Sequence, residues 1–427
     1  MTIEGPAPAA GPFRAPGGTH DVLPPESGRW EALLATFAAT VSAAGYGLIQ
    51  NPTFEEIGVF KRMGEGTDVV RKEMYDFLDK GDPPRHLALR PEGTASVVRA
   101  FIQHNPTTPW KVWYAAPSFR YERTQAGRYR QHHQLGVEAI GTDDPDLDVE
   151  IIGLLGDFYR TIGLRQVDLV VNSIGTPKDR ADYIERLRSF LVGRIGDLAP
   201  ADQEKVESHP MRVLDTKSPR SVEVVADAPL LLDSLSAEAE AHFDRVQRGL
   251  RAVGLEFRID PRLVRGLDYY THTAFEFRSG ALEAAQNTIG GGGRYDGLAE
   301  SLGGKATPGI GFGSGIERIL LTCDAEGVFG APDRSVEVFV ADLTGGEHAR
   351  DLTFELRRAG ISADRGFDGR SMKSQMKTAD RSGARVAVIV GEDEAASGTV
   401  SVRDLRGGTG QVTVGRDALV DHLRNPG

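Results

Sequence analysis

The chain has 427 residues, more than one typical hydrophobic core accommodates, which indicates two or three domains. With 40% hydrophobic and 26% charged residues it has the composition of an ordinary soluble globular protein, and its net charge of −11 argues against indiscriminate nucleic-acid binding. The single cysteine, Cys323, excludes an internal disulfide and a cysteine-based zinc cluster. No apolar run approaches the roughly 18 residues that span a bilayer, so we expect a cytoplasmic protein without a membrane partner.

The N-terminal part begins with a segment rich in Pro, Gly and Ala that lacks the apolar core of a signal peptide. Residues 1–18 are therefore predicted to be a flexible tail. Apolar residues at helical spacing between Trp30 and Val41 then predict a helix, which Gly45 ends. From about residue 111 to 140 the pattern predicts a strand, a loop and a second strand.

The middle of the chain is mostly helical in pattern at about residues 176–253, and we interpret this stretch as an insertion in a first domain that covers residues 19–325. Strand-like sequence resumes at 257–278. The segment GIGFGSGIERILL then closes the domain, and TCDAEGVFGAPDRS is interpreted as a linker.

The C-terminal residues 335–427 have a compact α/β pattern, with helices predicted near 347–358 and 371–382. The strands predicted around them are VEVFVA, RVAVIV, TVSVRD and QVTV. Residues 357–385 carry eight Lys or Arg against three Asp, a net charge of +5. We expect a local basic surface there.

The stretch RYERTQAGRYRQHHQ at 120–134 gathers four arginines and two histidines in an acidic chain. A solvated basic turn would explain the arginines alone. On the strand that follows, however, alternation places Leu135, Val137 and Ala139 toward a core. The opposite face would carry Gln134, Gly136 and Glu138, next to Arg120 and Glu122 of the incoming strand.

Three further segments argue for a site rather than an open polar surface. LALRPEGTAS places Glu92 and Thr94 just after a strand-like run, and LVRGLDYYTHTAFEF carries Arg265 with Tyr269 and Tyr270. IGGGGRYDGL has four consecutive glycines, which permit a close backbone approach.

Glycines recur at every second position from 309 to 315, so on a strand they would share one face and leave a flat shelf suited to a planar ring. Arg318, on the helix predicted after that strand, could reach such a ring. Neither the dinucleotide-binding G-x-G-x-x-G spacing nor a P-loop occurs in this run.

Together these segments resemble the class II aminoacyl-tRNA synthetases, and among them the histidyl-tRNA synthetases, from about Gly17 to the C-terminus. GYGLIQNP, with Pro52, looks like motif 1, FRYERTQAGRYRQHHQ like motif 2 and GIGFGSGIERILL like motif 3. LVRGLDYY and GGGGRYDGL resemble segments specific to the histidine enzymes. The resemblance implies an α/β protein: an α+β catalytic domain on an antiparallel sheet, a helical insertion, and a C-terminal α/β anticodon-binding domain.

The resemblance also implies a reaction and its partners. L-histidine would be activated with ATP and Mg²⁺ and then transferred to tRNA(His), by a homodimer that pairs through residues 29–60. A metal site built from a dedicated protein cluster is not expected. Thr124 and Ala126 depart from the proline and lysine that are frequent in the family's motif 2 loop.

Residue roles follow from the same resemblance. The catalytic residues would be Arg120 and Arg265. ATP would be bound by Arg120 at the α-phosphate, Glu122 at the adenine amino group and Arg318 at the γ-phosphate, with Arg128, Gly311 and Gly313. Histidine would be bound by Glu138 and Tyr270 at the imidazole, by Glu92, Thr94 and Gln134 at the α-amino group, and by Gly93, Arg120, Arg265, Tyr269 and Tyr295. tRNA would be bound by Arg123, Gln125, Arg370, Lys373 and Lys377.

Two alternatives stay open at this point. One is a non-catalytic paralogue, such as a regulatory subunit of ATP phosphoribosyltransferase, which shares the core but tends to lose the arginines or the C-terminal domain. The other is a plain nucleic-acid-binding protein, which would leave the glycine shelf and the paired carboxylates unexplained.

Overall fold

The computed structural model describes residues 13–64, 69–214, 216–263, 269–283, 287–333, 335–407 and 410–425. By its internal contacts the chain divides into two units, Met1–Ala331 and Pro332–Gly427. Each unit has a hydrophobic core of its own.

The first unit begins with helix α1 (Glu26–Ala43), strands β1 (Gly47–Leu48) and β2 (Phe54–Glu56), α2 (Ile57–Lys61), β3 (Asp76–Leu78), β4 (His86–Leu89), α3 (Thr94–His104), β5 (Trp110–Phe119), β6 (Gln131–Ile140), α4 (Pro145–Thr161) and β7 (Val167–Ser173). It continues with α5 (Pro177–Val192), α6 (Pro200–Gln203), α7 (Pro219–Ala226), α8 (Ala237–Ala252), β8 (Arg258–Ile259), β9 (Thr271–Ser279), β10 (Thr288–Arg294), α9 (Leu298–Ser301), β11 (Gly309–Gly315) and α10 (Ile316–Glu326).

An eight-stranded sheet organises this unit in the order β1-β5-β6-β11-β10-β9-β7-β8. Its central pairs are antiparallel, and the two edge strands β1 and β8 pair in parallel with their neighbours. Strands β2, β4 and β3 form a small second sheet. The predicted α+β architecture on an antiparallel sheet is confirmed.

The main core lies on one face of the large sheet. Phe37 of α1 contacts Phe158 of α4 and Phe312 of β11, with ring centroids 5.1 and 6.2 Å apart. Leu135, Val137 and Ala139 of β6 are fully buried in the same core, as the alternation predicts. The opposite face of β6 is therefore free to carry polar side chains.

The helical stretch predicted as an insertion divides between two cores. Leu187 and Leu191 of α5 and Val224 of α7 belong to a separate small core. Phe243 and Leu250 of α8 are instead buried in the main core, so α8 packs with the first domain although it lies within the predicted insertion. An amphipathic stripe in the sequence indicates that one face of a helix is buried. It does not indicate which element of the fold covers that face.

The second unit contains β12 (Val338–Asp342), α11 (Glu347–Arg358), β13 (Ala363–Arg365), α12 (Met372–Arg381), β14 (Val386–Val390), α13 (Glu392–Ser397), β15 (Thr399–Asp404), β16 (Gln411–Gly415) and α14 (Leu419–Arg424). Its sheet has the order β13-β12-β14-β15-β16, with the first three strands parallel and the others antiparallel. The four predicted strands and two predicted helices are present.

A pair of helix glycines tests the packing of α8 on α4. A Cβ at Gly249 would lie 2.5 Å from Val149 Cγ2, whereas a Cβ at Gly153 would meet only Leu255 Cδ1 at 4.0 Å. Overpacking costs about 1–3 kcal/mol, whereas replacing a helical glycine by alanine stabilises the helix by roughly 0.5–1 kcal/mol. We therefore expect Gly249→Ala to lower the free energy of unfolding by about 1–2 kcal/mol in urea titrations.

The matched control is Gly153→Ala, which should leave stability unchanged or raise it by up to about 1 kcal/mol. Equal effects of the two substitutions would contradict close packing of the helices at Gly249.

Candidate active site

A cleft of roughly 330 Å³ opens on the polar face of the large sheet, beside the start of α10. It is lined by Arg120, Glu122, Gly127, Arg128, Tyr129, His132, Gln134, Glu276, Thr288, Ile289, Gly290, Gly291, Gly313, Gly315, Glu317 and Arg318. Of the side chains that the sequence assigned to ATP, the structure brings together Arg120, Glu122, Arg128 and Arg318.

The guanidinium groups are held by backbone carbonyls and one carboxylate. Arg318 donates from Nε to Gly127 O at 3.2 Å and from Nη1 to Thr288 O at 2.8 Å. Arg120 donates from Nε to Pro91 O at 2.9 Å. These bonds fix the direction of each guanidinium group. Because a carbonyl oxygen is not ionised, they do not neutralise its positive charge.

The positive charges also act on one another. Burial lowers the pKa of Arg318, and the nearby charge of Arg128 lowers it further. Arg128 Nε lies 3.0 Å from Glu122 Oε2, while Arg120 Nη1 is 4.0 Å from Glu122 Oε1. Three guanidinium groups thus lie at one cleft, which Glu122, Glu276 and Glu317 also line, and guanidinium groups gathered in this way suit a polyanion.

His132 is a cleft residue that the site assignment missed. Burial lowers its pKa to about 3, and the charge of Arg120 contributes, so its imidazole is neutral near pH 7. The alternation that selected Gln134 and Glu138 places His132 on the same face, so the pattern already contained this signal. Tyr129, Glu276 and Thr288 line the cleft too, without a comparable signal.

The glycines of β11 share one face as predicted, but only part of that face is open. A Cβ at Gly309 would overlap the Tyr295 ring, and one at Gly311 would overlap the Glu138 carboxylate. Gly313 and Gly315 line the cleft. Gly311 is absent from the cleft lining, and its missing side chain makes room for Glu138, so its assignment to ATP stays a prediction.

Glu138 is the centre of a second, fully buried polar cluster. Thr94 Oγ1 donates to its Oε1 at 2.7 Å, Tyr295 OH donates to Oε2 at 2.6 Å, and Tyr114 OH lies 3.4 Å from Oε1. Burial raises the pKa of Glu138 to about 8, although the hydrogen bonds from Tyr295 and Thr94 oppose the shift. A carboxyl group buried in this way can form a hydrogen bond with a polar group of a ligand where water is excluded.

Glu92 lies at the start of α3, and its carboxylate accepts from Thr94 N and Ala95 N, both at 2.8 Å. Burial raises the pKa of Glu92. Tyr114, which the sequence did not single out, fills the space above Gly93 and Gly136, since a Cβ at either glycine would overlap its ring.

Tyrosines close the other side of this cluster. The rings of Tyr269 and Tyr270 lie 4.7 Å apart, and Tyr269 lies 6.0 Å from Tyr295. Burial raises the pKa of Tyr269 well above its ordinary value, so the phenol stays protonated. Arg265 lies outside the described residues.

Gln134 lies in the cleft on the same strand, β6, as Glu138. Its side chain lines the cleft, and its Oε1 accepts from Ser118 Oγ at 3.4 Å. A Cβ at Gly313 would lie 3.7 Å from Gln134 Nε2, so the side-chain amide of Gln134 lies next to the Gly313 backbone.

The loop between β5 and β6 is a tight turn in which Gln125 and Arg128 exchange backbone hydrogen bonds. Arg123 and Gln125 are exposed on it. Gly18 O accepts from Arg130 N at 2.8 Å, and a Cβ at Gly18 would lie 2.7 Å from Arg130 Cγ. The end of the predicted flexible tail is therefore attached to this turn.

In the second unit, Arg370, Lys373 and Lys377 are exposed at and along α12. On the buried side of that helix, Gln375 donates to Asp342 O and Arg370 O, both at 2.7 Å. The basic side chains therefore project from an anchored helix.

Within the described ranges, no group of three His, Cys, Asp or Glu residues is placed to hold a metal ion. Within the same ranges, no helix is long and apolar enough to cross a membrane.

Comparison with known proteins agrees with this geometry. The profile of histidyl-tRNA synthetase matches residues 18–319, and that of the anticodon binding domain matches residues 337–425. The histidine–tRNA ligase of Moorella thermoacetica is 48% identical over 415 residues, which are 96% of this chain and 97% of the relative. That of Rhodococcus erythropolis is 47% identical over 423 residues, 97% and 98% of the two chains.

Solved structures show the same fold. The apo histidyl-tRNA synthetase of S. aureus matches with a TM-score of 0.82 and 36% identity, covering 97% of this chain and all of that one. A Bacillus halodurans structure described as an ATP phosphoribosyltransferase regulatory subunit/histidyl-tRNA synthetase has a TM-score of 0.65 at 21% identity, which shows a shared fold alone. By sequence and by structure, the chain belongs to the histidyl-tRNA synthetase family.

Proposed function

We propose that this chain is a histidine–tRNA ligase, which activates L-histidine with ATP to histidyl-adenylate, releases diphosphate, and transfers the histidyl group to the 3′ end of tRNA(His). The observation that carries the proposal is a fully buried acid, Glu138, next to a cleft lined by three arginines. The acid suits an imidazole and the cleft suits a triphosphate. The relatives that match nearly the whole chain are histidine–tRNA ligases.

Activation joins a histidine carboxylate oxygen to the α-phosphorus of ATP and breaks the bond from that phosphorus to the diphosphate oxygen. The attacking carboxylate is already ionised at neutral pH, so the reaction needs orientation and charge stabilisation rather than a general base. Arg120 is our candidate at the α-phosphate and Arg318 at the γ-phosphate, since both carry fixed guanidinium groups in the cleft. Arg265 is the second catalytic candidate.

Mg²⁺ fits this cleft as a companion of the phosphates. Hard oxygen ligands suit it, and it commonly binds through one or two carboxylates together with substrate phosphates. Glu276, which lines the cleft and accepts from Thr288 Oγ1 at 3.3 Å, is the candidate protein ligand. The ion would neutralise charge on the β- and γ-phosphates.

Amino-acid choice follows from the buried cluster. A neutral imidazole offers one donor and one acceptor, and Glu138 with Tyr270 could satisfy both. A different side chain would leave buried polar groups unpaired, and polar sites of this kind discriminate by about 10⁴ or more. Glu92, Thr94 and Gln134 would then hold the α-amino group.

Two features of the second unit support tRNA binding there. Arg370, Lys373 and Lys377 are exposed and can contact phosphates. Phe367 is 55% exposed, and the guanidinium of Arg365 lies 4.4 Å from its ring centroid, beside a cavity of roughly 240 Å³. An exposed ring next to basic groups is a stacking surface for an unpaired base. Arg123 and Gln125 are the candidates for tRNA contacts on the first unit.

The homodimer that we propose would use the exposed part of residues 29–60. The core side chains of α1 face inward, but Leu48 is 55% exposed and a groove of roughly 820 Å³ runs between Pro52, Val59 and Trp110. An apolar surface of this kind is typical of a subunit contact.

The first test is ATP–diphosphate exchange, which should depend on L-histidine. Glu138→Gln should raise KM for histidine about 10–100-fold, because a buried polar group left without its hydrogen-bond partner costs roughly 1–3 kcal/mol. KM for ATP should change less than threefold.

The matched control is Glu326→Gln, because Glu326 is another glutamate that accepts hydrogen bonds, here from Arg165 N and Gln166 N, but lies at the end of α10. It should leave both constants unchanged. Exchange that any amino acid supports equally well would overturn the proposed function.

A second test addresses the aromatic platform. Phe367→Ala should raise KM for tRNA about 5–100-fold, because stacking of a base on an aromatic ring contributes roughly 1–3 kcal/mol. Histidine-dependent exchange should be unchanged. Replacing Arg370, Lys373 and Lys377 by Glu should weaken tRNA binding and reduce its dependence on salt.

The control is Phe354→Ala, since Phe354 is 52% exposed on α11 and also lies under an arginine, Arg358, at 5.9 Å. This variant should aminoacylate tRNA normally. Identical behaviour of the two phenylalanine variants would argue against a stacking role for Phe367.

A third test measures association. Light scattering should report twice the 46.1 kDa mass of one chain, and Leu48→Asp should shift the protein toward the monomer because it places a charge in the contact. Val253→Asp, at an equally exposed valine after α8, is the control and should stay dimeric. A fully active monomer of the unaltered protein would contradict the proposed dimer.

A further inference from the structure

Arg294, the last residue of β10, is a fully buried arginine outside the cleft. Its Nη1 donates to Thr142 O at 3.0 Å, and its Nη2 donates to Asp144 O at 3.2 Å and to Asp148. The planar guanidinium thus holds the strand end against the start of α4. An ion pair buried this deeply is costly unless such hydrogen bonds complete it.

The carboxylate opposite Arg294 is equally buried and also has a second partner. His242 Nε2 of α8 lies 3.1 Å from Asp148 Oδ1. Burial alone would raise the pKa of Asp148, but the bond to His242 and the charge of Arg294 outweigh it and hold the pKa below its ordinary value. Two helices and one strand therefore meet at a fixed charge pair.

The same arginine reaches a second carboxylate that joins three strand ends. Arg294 Nη1 lies 3.4 Å from Asp296 Oδ1, which also accepts from Gly309 N at 3.2 Å. Thr271 Oγ1 donates to Asp296 Oδ2 at 3.2 Å. The start of β9, the end of β10 and the start of β11 are tied together by these bonds, which we term the Arg294 network.

These strand ends carry the residues that surround Glu138. Tyr295 directly follows Arg294, and its hydroxyl donates to Glu138 Oε2 at 2.6 Å. Gly309 lies against the Tyr295 ring, where any Cβ would overlap it, and Tyr270 directly precedes Thr271. A small shift of the strand ends would therefore move both tyrosines relative to the buried carboxyl group.

We propose that Arg294 is a positioning residue for amino-acid selection, which acts through Asp296 and Thr271 to hold Tyr295 and Tyr270 in register around Glu138. The inference rests on the proposed function, because it assigns the Glu138 cluster to the histidine side chain. It assigns no contact with ATP to Arg294. A merely structural role would weaken the fold without favouring one substrate.

Arg294→Lys tests this distinction because lysine keeps the charge beside Asp148 but lacks the planar fork that reaches four acceptors. In histidine-dependent ATP–diphosphate exchange we expect KM for histidine to rise about 10–50-fold, as expected when a supporting group is lost. KM for ATP should stay within twofold. Tyr295→Phe should give the same separation, and the double variant should raise KM for histidine by less than the product of the two single effects, since Arg294 acts partly through Tyr295.

Thr271→Val provides a second variant that keeps shape and charge, in case the lysine variant does not fold. It removes the bond to Asp296 and should also raise KM for histidine alone. The control is Arg29→Lys, because Arg29 is another buried arginine, bound to Asp324 at 2.6 Å and to Phe329 O at 2.7 Å. It should lower the unfolding midpoint and leave KM for histidine within twofold.

The outcomes separate this inference from the proposed function. If the unaltered protein exchanges with histidine but Arg294→Lys and Thr271→Val raise both KM values equally, or neither, Arg294 is only structural and the inference is overturned. If the unaltered protein shows no histidine-dependent exchange, the proposed function fails, and the inference fails with it.

Discussion

The burial of one carboxyl group, Glu138, is the constraint on which the rest of the first unit depends. A buried acid without partners costs several kcal/mol, so the fold has to bring donors to it. They come from the start of α3, from β5 and from the residue after β10, as Thr94, Tyr114 and Tyr295. Space comes from Gly311 on the neighbouring strand. The strand order of the sheet is therefore inseparable from the geometry of the site.

The cleft beside this cluster follows the opposite principle. There three arginines lie close together, and the pKa of Arg318 is lowered by burial and by Arg128. Such a surface is under electrostatic strain until a polyanion binds, which is the usual cost of a preorganised site. An acidic chain can sustain it because the excess negative charge lies elsewhere. The net charge of −11 is thus consistent with a phosphate site, since charge at the cleft and charge of the whole protein are independent quantities.

Sequence alone predicted much of this arrangement, and each miss has a physical cause. Alternation along β6 placed Gln134 and Glu138 on the site face, and the structure agrees. The same alternation places His132 there, but it stands between Gln131 and His133, so alternation alone does not distinguish it from its polar neighbours. The role of Tyr114 and the space that Gly311 leaves for Glu138 could not be predicted, because both depend on the register between strands, which a single sequence does not reveal. The histidine-enzyme segment that contains Arg294 was recognised, but burial of its arginine required the positions of α4 and α8.

The two substrates of the proposed activation step, ATP and histidine, are bound by different kinds of interaction. The first unit therefore needs both the arginine-lined cleft and the buried cluster around Glu138. Phosphates can be bound by directed charge on a partly open surface, where small displacements change a Coulomb energy only gradually. An imidazole has to be distinguished by one donor and one acceptor, which tolerates little displacement because hydrogen bonds weaken steeply away from their preferred geometry. The amino-acid side is accordingly built from buried tyrosines and strand ends, and it is supported by the Arg294 network rather than by loops. The amino-acid side of the site is rigid because its selectivity depends on hydrogen-bond geometry. The cleft presents positive charge because its selectivity depends on the negative charge of the phosphates.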